Sequence, residues 1–365
     1  MRTVAVLGAG AGGAAAVVEL CQRGHRVRLW NRSPQTVEPF LKSGAVRYEG
    51  ILGAGEVRPE LITSDLTEAV AEADVAVVCL PALAHEDLAH ALARVDPHPR
   101  LVLNPGHTGG ALHFRRVFLE ARGSSPELAE FSTLTYVARK YAPDTVHISG
   151  VAERVRAACL PGGDEALAIA RELYPVAVPE RDVLAPDLAN VNLVLHPPGA
   201  ILGAAWVEAT AGNYLFYAEG VTPGVARVIA GLDAERLSVA RAFGHELDPL
   251  HLEMAAIGTA DREAAARNEL GAAIRAGAAN ARIRAPDSLR HRYYLEDFGY
   301  GLVPLLAFAG IAGIEVPIAA ALVGLAGALL ERDLESEGLN ASRLGIEGLD
   351  RMGLLELVAG ARTPA

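Results

Sequence analysis

Cysteine and positive charge are scarce in this sequence, and each shortage argues against a class of function. The three cysteines are far apart and form no CxxC pair, so neither a disulfide framework nor a zinc or thiol-redox site is expected. The 33 Lys and Arg are outnumbered by 44 Asp and Glu, for a net charge of -11, which disfavours a nucleic-acid partner. We therefore predict no metal site, no nucleic-acid binding and a reducing, cytoplasmic location.

The sequence also lacks a long uninterrupted hydrophobic run. Its most apolar stretch, 301–330, is interrupted by Pro304, Glu315 and Pro317, and each piece is shorter than the roughly 20 residues that span a bilayer. This stretch predicts two buried helices and no membrane span, and its apolar residues could equally form a homodimer surface. The N-terminus becomes glycine-rich too soon for a secretory signal.

The length of 365 residues, 51% of them hydrophobic, predicts two globular domains. The first half alternates apolar runs with helical patterns, whereas the second half is dominated by alanine, leucine and helical periodicity. We predict an α/β domain with an extended, mostly parallel sheet over residues 1–184. An all-α domain should follow over residues 185–365.

The first thirty residues have the order strand, loop, helix, strand. An apolar run over 3–7 leads into GAGAGG at 8–13, a helical pattern over 14–23 follows, and a second apolar run covers 26–30. A βαβ unit of about 30 residues is the context in which a GxGxxG loop binds a dinucleotide. This segment therefore predicts a Rossmann domain.

Each glycine of that loop has a separate physical role. Gly8 permits the tight turn, Gly10 lets the backbone approach a pyrophosphate, and Gly13 lets helix and strand pack closely. The helix N-terminus supplies amides and a positive dipole to the phosphates. An isolated GxGxxG can be an ordinary glycine-rich turn, but this position between strand and helix predicts binding of a nicotinamide dinucleotide.

The residues after the second strand indicate which dinucleotide is bound. An acidic residue there usually accepts hydrogen bonds from the adenosine ribose of NAD. Asn31, Arg32 and Ser33 occupy this position instead, so no carboxylate repels a 2′-phosphate and two side chains could bind one. The sequence favours NADP(H) over NAD(H), although Arg32 could also be an ordinary surface arginine.

Two later loops follow buried strands of the first half. The run 73–80 ends at Pro81, and the run 101–103 opens into NPGHTGG, which contains Asn104 and Thr108. Ligands bind at the carboxyl ends of strands in open α/β sheets. We expect Pro81 and Asn104 to contact the cofactor and Thr108 to contact the substrate. Further predicted elements are helices at 85–95 and 164–174 and strands at 131–137, 145–150 and 154–159, which should extend the same sheet.

The most informative stretch of the second half is NVNLVLHP at 190–197. Asn192 and His196 are four residues apart and share a helix face, and burying them on an aliphatic helix is costly unless they have partners or a function. Histidine suits proton transfer near neutral pH, although a lone histidine is more often a core or capping residue. The segments 212–223 and 292–299 add aromatic and hydrogen-bonding groups, including Arg292 and Asp297.

At these residues the sequence resembles the octopine/nopaline (opine) dehydrogenase family over essentially its full length. The motifs that carry the resemblance are GAGAGG at 8–13, NPGHTGG at 104–110, NVNLVLHP at 190–197, YAEGVTP at 217–223, DAERL at 233–237 and RYYLEDFGYGLVP at 292–304.

The resemblance implies a two-substrate reaction. In that family an α-keto acid, commonly pyruvate, condenses with the amino group of an amino acid, and the reduced cofactor converts the imine to a secondary amine dicarboxylate. It implies that His196 donates and accepts the proton and that Asp297 orients its ring. Arg292 could clamp a substrate carboxylate, and the Asn192 amide could hydrogen-bond either substrate. Close relatives carry an acidic residue in place of Asn31 and use NADH. The choice of cofactor is therefore the property that transfers least from the family to this chain.

Two alternatives remain open at the level of sequence. A ketopantoate-reductase-like or glycerol-phosphate-dehydrogenase-like enzyme would reduce a carbonyl without an amine. Such enzymes rely on a lysine in the helical domain, whereas this chain has only Lys42 and Lys140, both in the first half. A non-catalytic dinucleotide sensor would keep the fold alone, but the set of His196, Asp297 and Arg292 argues against it.

Overall fold

The computed structural model describes Met1–Ala359 and contains two compact units. The first unit comprises Met1–Gly106 and Gly110–Pro179, and the second comprises His107–Gly109 and the residues from Glu180 onward. Three residues in the middle of the NPGHTGG loop therefore belong to the second unit, whereas the residues on both sides of them belong to the first. The units divide after Pro179, close to the boundary placed after residue 184 from the sequence.

The strands belong to the first unit and form two sheets. In chain order they are β1 (Thr3–Leu7), β2 (Arg26–Trp30), β3 (Val46–Gly50), β4 (Gly55–Val57), β5 (Leu61–Thr63), β6 (Val75–Val78), β7 (Arg100–Leu103), β8 (Leu128–Phe131), β9 (Tyr136–Ala142), β10 (Thr145–Val151), β11 (Val155–Cys159) and β12 (Ala177–Pro179). The larger sheet has the order β12-β11-β8-β7-β6-β1-β2-β5. Its neighbouring strands run parallel, except that β8 and β11 are antiparallel.

The helices of this unit connect the parallel strands. They are α1 (Ala11–Gln22), α2 (Pro34–Ser43), α3 (Leu66–Val70), α4 (His85–Leu92), α5 (Gly110–Arg122) and α6 (Asp164–Leu173). Apart from Thr3, the central strands β1 and β6 consist of fully buried apolar residues, as is typical of parallel strands covered on both faces. The Rossmann prediction is confirmed: β1, α1 and β2 form the βαβ unit at the N-terminus.

A second sheet, with the order β4-β3-β10-β9, corrects two sequence predictions. The single strand predicted over 131–137 is wrong, because β8 ends at Phe131 and β9 begins at Tyr136 in the other sheet. Between them the Thr135 N–H donates to the Asn104 side chain at 3.1 Å instead of to a strand. The strand predicted over 145–150 is present as β10, but it pairs with β3 and β9 and does not extend the larger sheet.

The second unit is helical, as predicted. Its helices are α7 (Leu184–Leu188), α8 (Val191–Leu202), α9 (Ala204–Thr210), α10 (Pro223–Ala242), α11 (Leu250–Ile257), α12 (Arg262–Ala266), α13 (Leu270–Arg275), α14 (Arg292–Leu295), α15 (Val303–Ala312), α16 (Pro317–Leu330), α17 (Leu334–Glu337), α18 (Ala341–Leu344) and α19 (Arg351–Ala359). A π-helical turn, Phe298–Leu302, joins α14 to α15. Up to Ala359, the only β pairing in this unit is an isolated bridge between Leu215 and Arg284.

The apolar stretch 301–330 forms two helices, α15 and α16, each beginning at a proline-containing first turn. Proline suits this position because the first helical N–H groups have no intrahelical partner. In the described chain, the continuous helical segment Arg292–Ala312 is long and apolar enough to cross a membrane by length and composition. However, 61% of its most apolar window is buried inside the protein, as is usual for a core helix.

Candidate active site

The glycine loop between β1 and α1 has the shape that a pyrophosphate requires. Gly8 has a φ of 121°, and a Cβ there would lie 2.5 Å from the Cys79 carbonyl oxygen. A Cβ at Gly13 would collide with the Gly8 carbonyl, so this residue allows α1 to pack against β1. A Cβ at Gly10 would meet nothing within 4 Å. The loop is thus close-packed on its inner side and open at Gly10, which fits a dinucleotide approaching the backbone.

Asn31 lies directly beside this loop and presents a hydrogen-bond donor. Its Oδ1 accepts the Ala9 N–H at 3.1 Å. The side-chain NH2 makes no hydrogen bond to any residue of Met1–Ala359 and remains available to a ligand. An NH2 group can donate to a phosphate oxygen but cannot accept from a ribose hydroxyl, as the usual carboxylate does.

Arg32 and Ser33 are solvent-accessible beside Asn31. The Arg32 guanidinium lies 2.5 Å from Asp87, and both side chains are about 70% exposed. Such exposed ion pairs contribute little to stability, so a phosphate could compete for Arg32. Ser33 is the N-cap residue of α2, and its hydroxyl donates to Gln35 at 2.8 Å.

Lys140 adds a positive charge beside the glycine loop, which the sequence did not reveal. Its ammonium lies 3.5 Å from the Ala9 carbonyl oxygen and 4.3 Å from the centre of the Phe40 ring. Burial lowers the pKa of this half-buried amine, and in the described chain the amine has no ion-pair partner. Because Lys140 lies on β9, no sequence spacing relates it to the loop at 8–13.

The two predicted loop residues of the first unit differ in exposure. Pro81 follows β6 and is exposed before a short 3₁₀ turn, Ala82–Ala84. Asn104 is completely buried, its amide donating to the Thr135 hydroxyl at 2.9 Å and accepting the Thr135 N–H. Asn104 therefore fixes the chain between β8 and β9. The contacts of Pro81 and Asn104 with the cofactor stay predictions.

The middle of the NPGHTGG loop is anchored within the second unit. The Gly109 N–H donates to Asp187 at 2.6 Å. Thr108 is fully buried, and its hydroxyl oxygen accepts from the Asn190 amide at 3.1 Å. Asn190 caps α8, so Thr108 supports the helix that carries His196. Its predicted contact with substrate stays a prediction.

His196 and Asp297 are joined by a short hydrogen bond. The imidazole Nδ1 lies 2.7 Å from Asp297 Oδ2, and both residues are buried. His196 is in α8, whereas Asp297 immediately precedes the π-helical turn Phe298–Leu302. This turn approaches α8 closely, since a Cβ at Gly301 would lie 3.2 Å from Leu193 Cβ. The structure thus brings together two side chains that are 101 residues apart.

Aromatic residues enclose the imidazole on the other sides. Its Nε2 lies 2.9 Å from the Tyr217 hydroxyl, which is 3.3 Å from the Tyr293 hydroxyl. The Tyr293 ring stacks on His196 with a centroid separation of 3.8 Å, and Phe216 meets it edge-on at 6.0 Å. These contacts hold the imidazole in one orientation, a requirement for proton transfer in a defined direction.

A second set of charged groups lies next to Asp297 in the chain. Glu296 is buried, with one carboxylate oxygen 3.2 Å from His107 Nε2 and the other 3.6 Å from an Arg292 nitrogen. Arg292 is 47% exposed. Glu296 therefore restrains a guanidinium that still faces solvent and could bind a carboxylate. His107 and Glu296 were not identified from the sequence.

Asn192 lies one turn before His196 in α8, as predicted. It is half-buried, and its side-chain amide makes no hydrogen bond to any residue up to Ala359. A polar group of this kind is available to a ligand. Asn192 thus lies one turn from His196 with its side-chain amide available, and its contact with substrate stays a prediction.

His291 makes the region around Asp297 sensitive to acid. Burial and the neighbouring Arg292 and His196 lower its pKa to about 4, and its Nδ1 accepts the Tyr293 N–H as the cap of α14. The folded state thus favours neutral His291. Its contribution to stability is fully present above the ordinary pKa of 6.5 and is lost as pH falls towards 4.

We expect His291→Asn to reduce this acid sensitivity. Asparagine keeps a cap acceptor but cannot be protonated. The Tm should decrease between pH 7.5 and pH 5 in both proteins. This decrease should be smaller in the variant by a few degrees. An identical decrease in both proteins would show that His291 does not contribute to acid destabilisation.

Two family models match the chain, one in each half. The model for the alpha-helical domain of NAD/NADP octopine/nopaline dehydrogenase matches residues 179–330, and the model for ketopantoate reductase PanE/ApbA matches residues 4–104. The opine dehydrogenase of Arthrobacter sp. (strain 1C) is 32% identical over 362 residues, which are 98% of this chain and 99% of that protein. The chain belongs to the opine dehydrogenase family.

Solved structures of opine dehydrogenases share its fold from end to end. Octopine dehydrogenase with NADH and L-arginine has a TM-score of 0.75 at 21% identity, and the match covers 100% of both chains. NADP⁺-bound yersinopine dehydrogenase has a TM-score of 0.70 at 18% identity over 98% of both chains. As an opine dehydrogenase, the protein is an NAD(P)-dependent oxidoreductase that acts on CH–NH groups and condenses a keto acid reductively with an amino acid. The sequence prediction of this activity is confirmed.

The sequence assigned neither Tyr217 nor Tyr293 a catalytic role. Both lie in segments that are rich in aromatic residues, so composition indicated the segments but not the individual side chains. Their hydroxyl contacts with each other and with His196 depend on how three helical segments pack. No spacing within one segment encodes these contacts.

Proposed function

We propose that this opine dehydrogenase uses His196 as its general acid and base, with Asp297 as the orienting carboxylate and NADPH as the preferred reductant. The observation that carries the proposal is the 2.7 Å contact between His196 Nδ1 and Asp297. A buried carboxylate on Nδ1 fixes the tautomer, so that Nε2 is the atom that exchanges protons, and it stabilises the imidazolium form.

The reaction places two demands on these residues. The amine must lose a proton before it attacks the keto carbon, and the hydroxyl of the resulting carbinolamine must gain one to leave as water. His196 can meet both because its Nε2 takes up and releases a proton while Asp297 holds the ring. The bound reduced nicotinamide supplies the hydride that converts the imine to the amine.

We infer that both substrates are small carboxylates. Related octopine dehydrogenase structures contain pyruvate or L-arginine, each of which carries a carboxylate. In this chain the half-exposed Arg292 offers a bidentate site for one carboxylate, and the Asn192 amide offers hydrogen bonds one turn from His196. Thr108 supports the same region through Asn190.

The preference for NADPH rests on the groups beside the glycine loop. Asn31 presents an NH2 donor, and Arg32 and Lys140 supply positive charge there. Ser33 adds a hydroxyl at the N-terminus of α2. A 2′-phosphate would be stabilised by these donors, whereas position 31 offers no carboxylate to accept a hydrogen bond from a ribose hydroxyl.

We expect Asn31→Asp to reverse this preference. Aspartate still accepts the Ala9 N–H, but it replaces a donor with a negatively charged acceptor. Titration by cofactor fluorescence should show NADPH binding weakened by about 10-fold or more, equivalent to about 1.4 kcal/mol, and NADH binding strengthened. Lys42→Met is the control, because Lys42 pairs with Glu38 on α2 and should leave both Kd values unchanged. An unaltered NADPH to NADH ratio in Asn31→Asp would contradict the assignment.

The activity can be tested by following NADPH and NADH oxidation with pyruvate, alone and with a panel of amino acids, and by identifying products by mass. Strict dependence on an amine and a product containing both carbon skeletons are expected. Turnover with the keto acid alone, giving a hydroxy acid, would instead identify a reductase of the ketopantoate or glycerol-phosphate type. Binding of dinucleotide without turnover on any pair would favour a sensor.

Cellular location and assembly remain predictions. All three cysteines, Cys21, Cys79 and Cys159, are free thiols, which is typical of a reducing cytoplasm. The outer face of α16 includes Leu325, which is 55% exposed, and this face remains the predicted homodimer surface.

A further inference from the structure

We propose that Tyr217 carries the proton between His196 and the substrate. This inference rests on the proposed role of His196 and extends it. Both ring nitrogens of His196 already have partners, Asp297 on Nδ1 and the Tyr217 hydroxyl on Nε2. The nitrogen that must exchange a proton with substrate therefore faces a phenol.

The direction of these hydrogen bonds follows from their chemistry. An ionised carboxylate can only accept, so Nδ1 carries the hydrogen bonded to Asp297. Nε2 of the neutral imidazole is then an acceptor, and the Tyr217 hydroxyl donates to it over 2.9 Å. When His196 is protonated, the same contact reverses and Nε2 donates to the phenol oxygen. Tyr217 is thus hydrogen-bonded to His196 in both protonation states.

Burial makes a direct route from His196 to substrate difficult. His196 is 2% exposed and Tyr217 is 5% exposed. Tyr293 covers one face of the imidazole, and Phe216 meets it edge-on. A substrate atom could reach Nε2 directly only if the Tyr217 hydroxyl moved away, whereas contact with the phenol requires no rearrangement of the His196 hydrogen bonds.

The transfer balances when two protons move together. In the condensation direction, the Nε2 proton of the imidazolium passes to the Tyr217 oxygen as the Tyr217 hydroxyl proton passes to the carbinolamine hydroxyl. The carbon–oxygen bond breaks and its electron pair leaves with water, while the nitrogen lone pair forms the carbon–nitrogen double bond. The phenol is unchanged at the end and His196 is neutral.

Tyr293 has a supporting role in this relay. Its hydroxyl lies 3.3 Å from the Tyr217 hydroxyl, and its ring stacks on the imidazole at 3.8 Å. The hydroxyl orients the phenol, and the ring fixes the imidazole. Tyr293→Phe retains the stacked ring and removes only the hydroxyl, so it separates these two effects.

The test compares Tyr217→Phe with two matched tyrosine variants. Tyr217→Phe should lower kcat about 30-fold or more, within the range for a lost proton-transfer group, with NADPH affinity unchanged by fluorescence titration. Tyr293→Phe should lower kcat by a smaller factor. Tyr294→Phe should leave kcat within about twofold, because the Tyr294 hydroxyl donates to the Ala200 carbonyl instead of to His196.

A proton inventory in mixtures of H2O and D2O provides the second measurement. The native enzyme should give a curved plot, as expected for two protons in flight, and Tyr217→Phe should give a linear one. A kcat in Tyr217→Phe equal to or above the native value would show that substrate meets Nε2 directly, and the relay would be wrong. If His196→Ala also kept its rate, the assignment of His196 as the general acid and base would itself be wrong.

Discussion

His196→Ala should lower kcat of the opine reaction by about 10²–10⁴-fold, the range typical of a lost general acid or base. The substitution removes the nitrogen that takes up and releases the transferred proton and leaves the Asp297 carboxylate buried beside a cavity. Steady-state rates with saturating cofactor, keto acid and amino acid measure the loss. Binding of NADPH should stay close to native, because no residue of the glycine loop is altered.

The chain offers a matched control for this variant. His245 forms another buried histidine–carboxylate pair in the helical unit, with its Nε2 2.9 Å from Asp182. His245→Ala should lower Tm, because it leaves a buried carboxylate with one partner fewer, but it should not change kcat. If both variants lost activity equally, instability would explain the loss. A native rate in folded His196→Ala would refute the assignment.

Asp297→Asn should lower kcat on the order of 10²-fold or more, although it alters only one polar group. The asparagine oxygen can still accept from Nδ1, but it no longer stabilises an imidazolium. If its NH2 group donates to Nδ1 instead, the proton moves to Nε2 and the neutral ring can no longer act as a base. Both outcomes impair His196 while the side-chain volume stays the same.

The pH profile distinguishes this effect from a general disturbance. Asp297→Asn removes the negative charge that lies 2.7 Å from His196 Nδ1, so the pH profile of the reductive rate should differ from that of the native enzyme. Asp182→Asn provides the comparison, since it alters the buried His245–Asp182 pair and should lower stability without moving the profile. An unshifted profile in Asp297→Asn would contradict an orienting and charge-stabilising role.

Local sequence signals predicted those parts of the molecule that depend on neighbouring residues. The glycine loop lies between a strand and a helix within thirty residues, and Asn192 and His196 lie one turn apart in α8. Both arrangements follow from secondary-structure periodicity alone. The pairing of His196 with Asp297 spans 101 residues and came from the family resemblance.

The parts that could not be predicted depend on tertiary contacts. The strand predicted over 131–137 looked continuous because residues on both sides of Thr135 suit a sheet. The buried Asn104 amide interrupts it by binding Thr135 from another loop. Likewise, Lys140 contacts the glycine loop only because β9 packs beside it. Tyr293 contacts His196 only because distant helical segments pack together.

His107–Gly109 belong to the helical unit, although the segments on both sides of them belong to the first unit. The two units are joined by three covalent crossings, and neither is a single contiguous segment. Residues 180–359 alone would lack the Gly109 donor to Asp187 and the Thr108 acceptor for Asn190, the cap of α8. A simple fusion of this segment to another nucleotide-binding domain would therefore lack two hydrogen bonds, one to α7 and one to the cap of α8. A recombination that kept α8 properly supported would have to carry the loop after β7 with it.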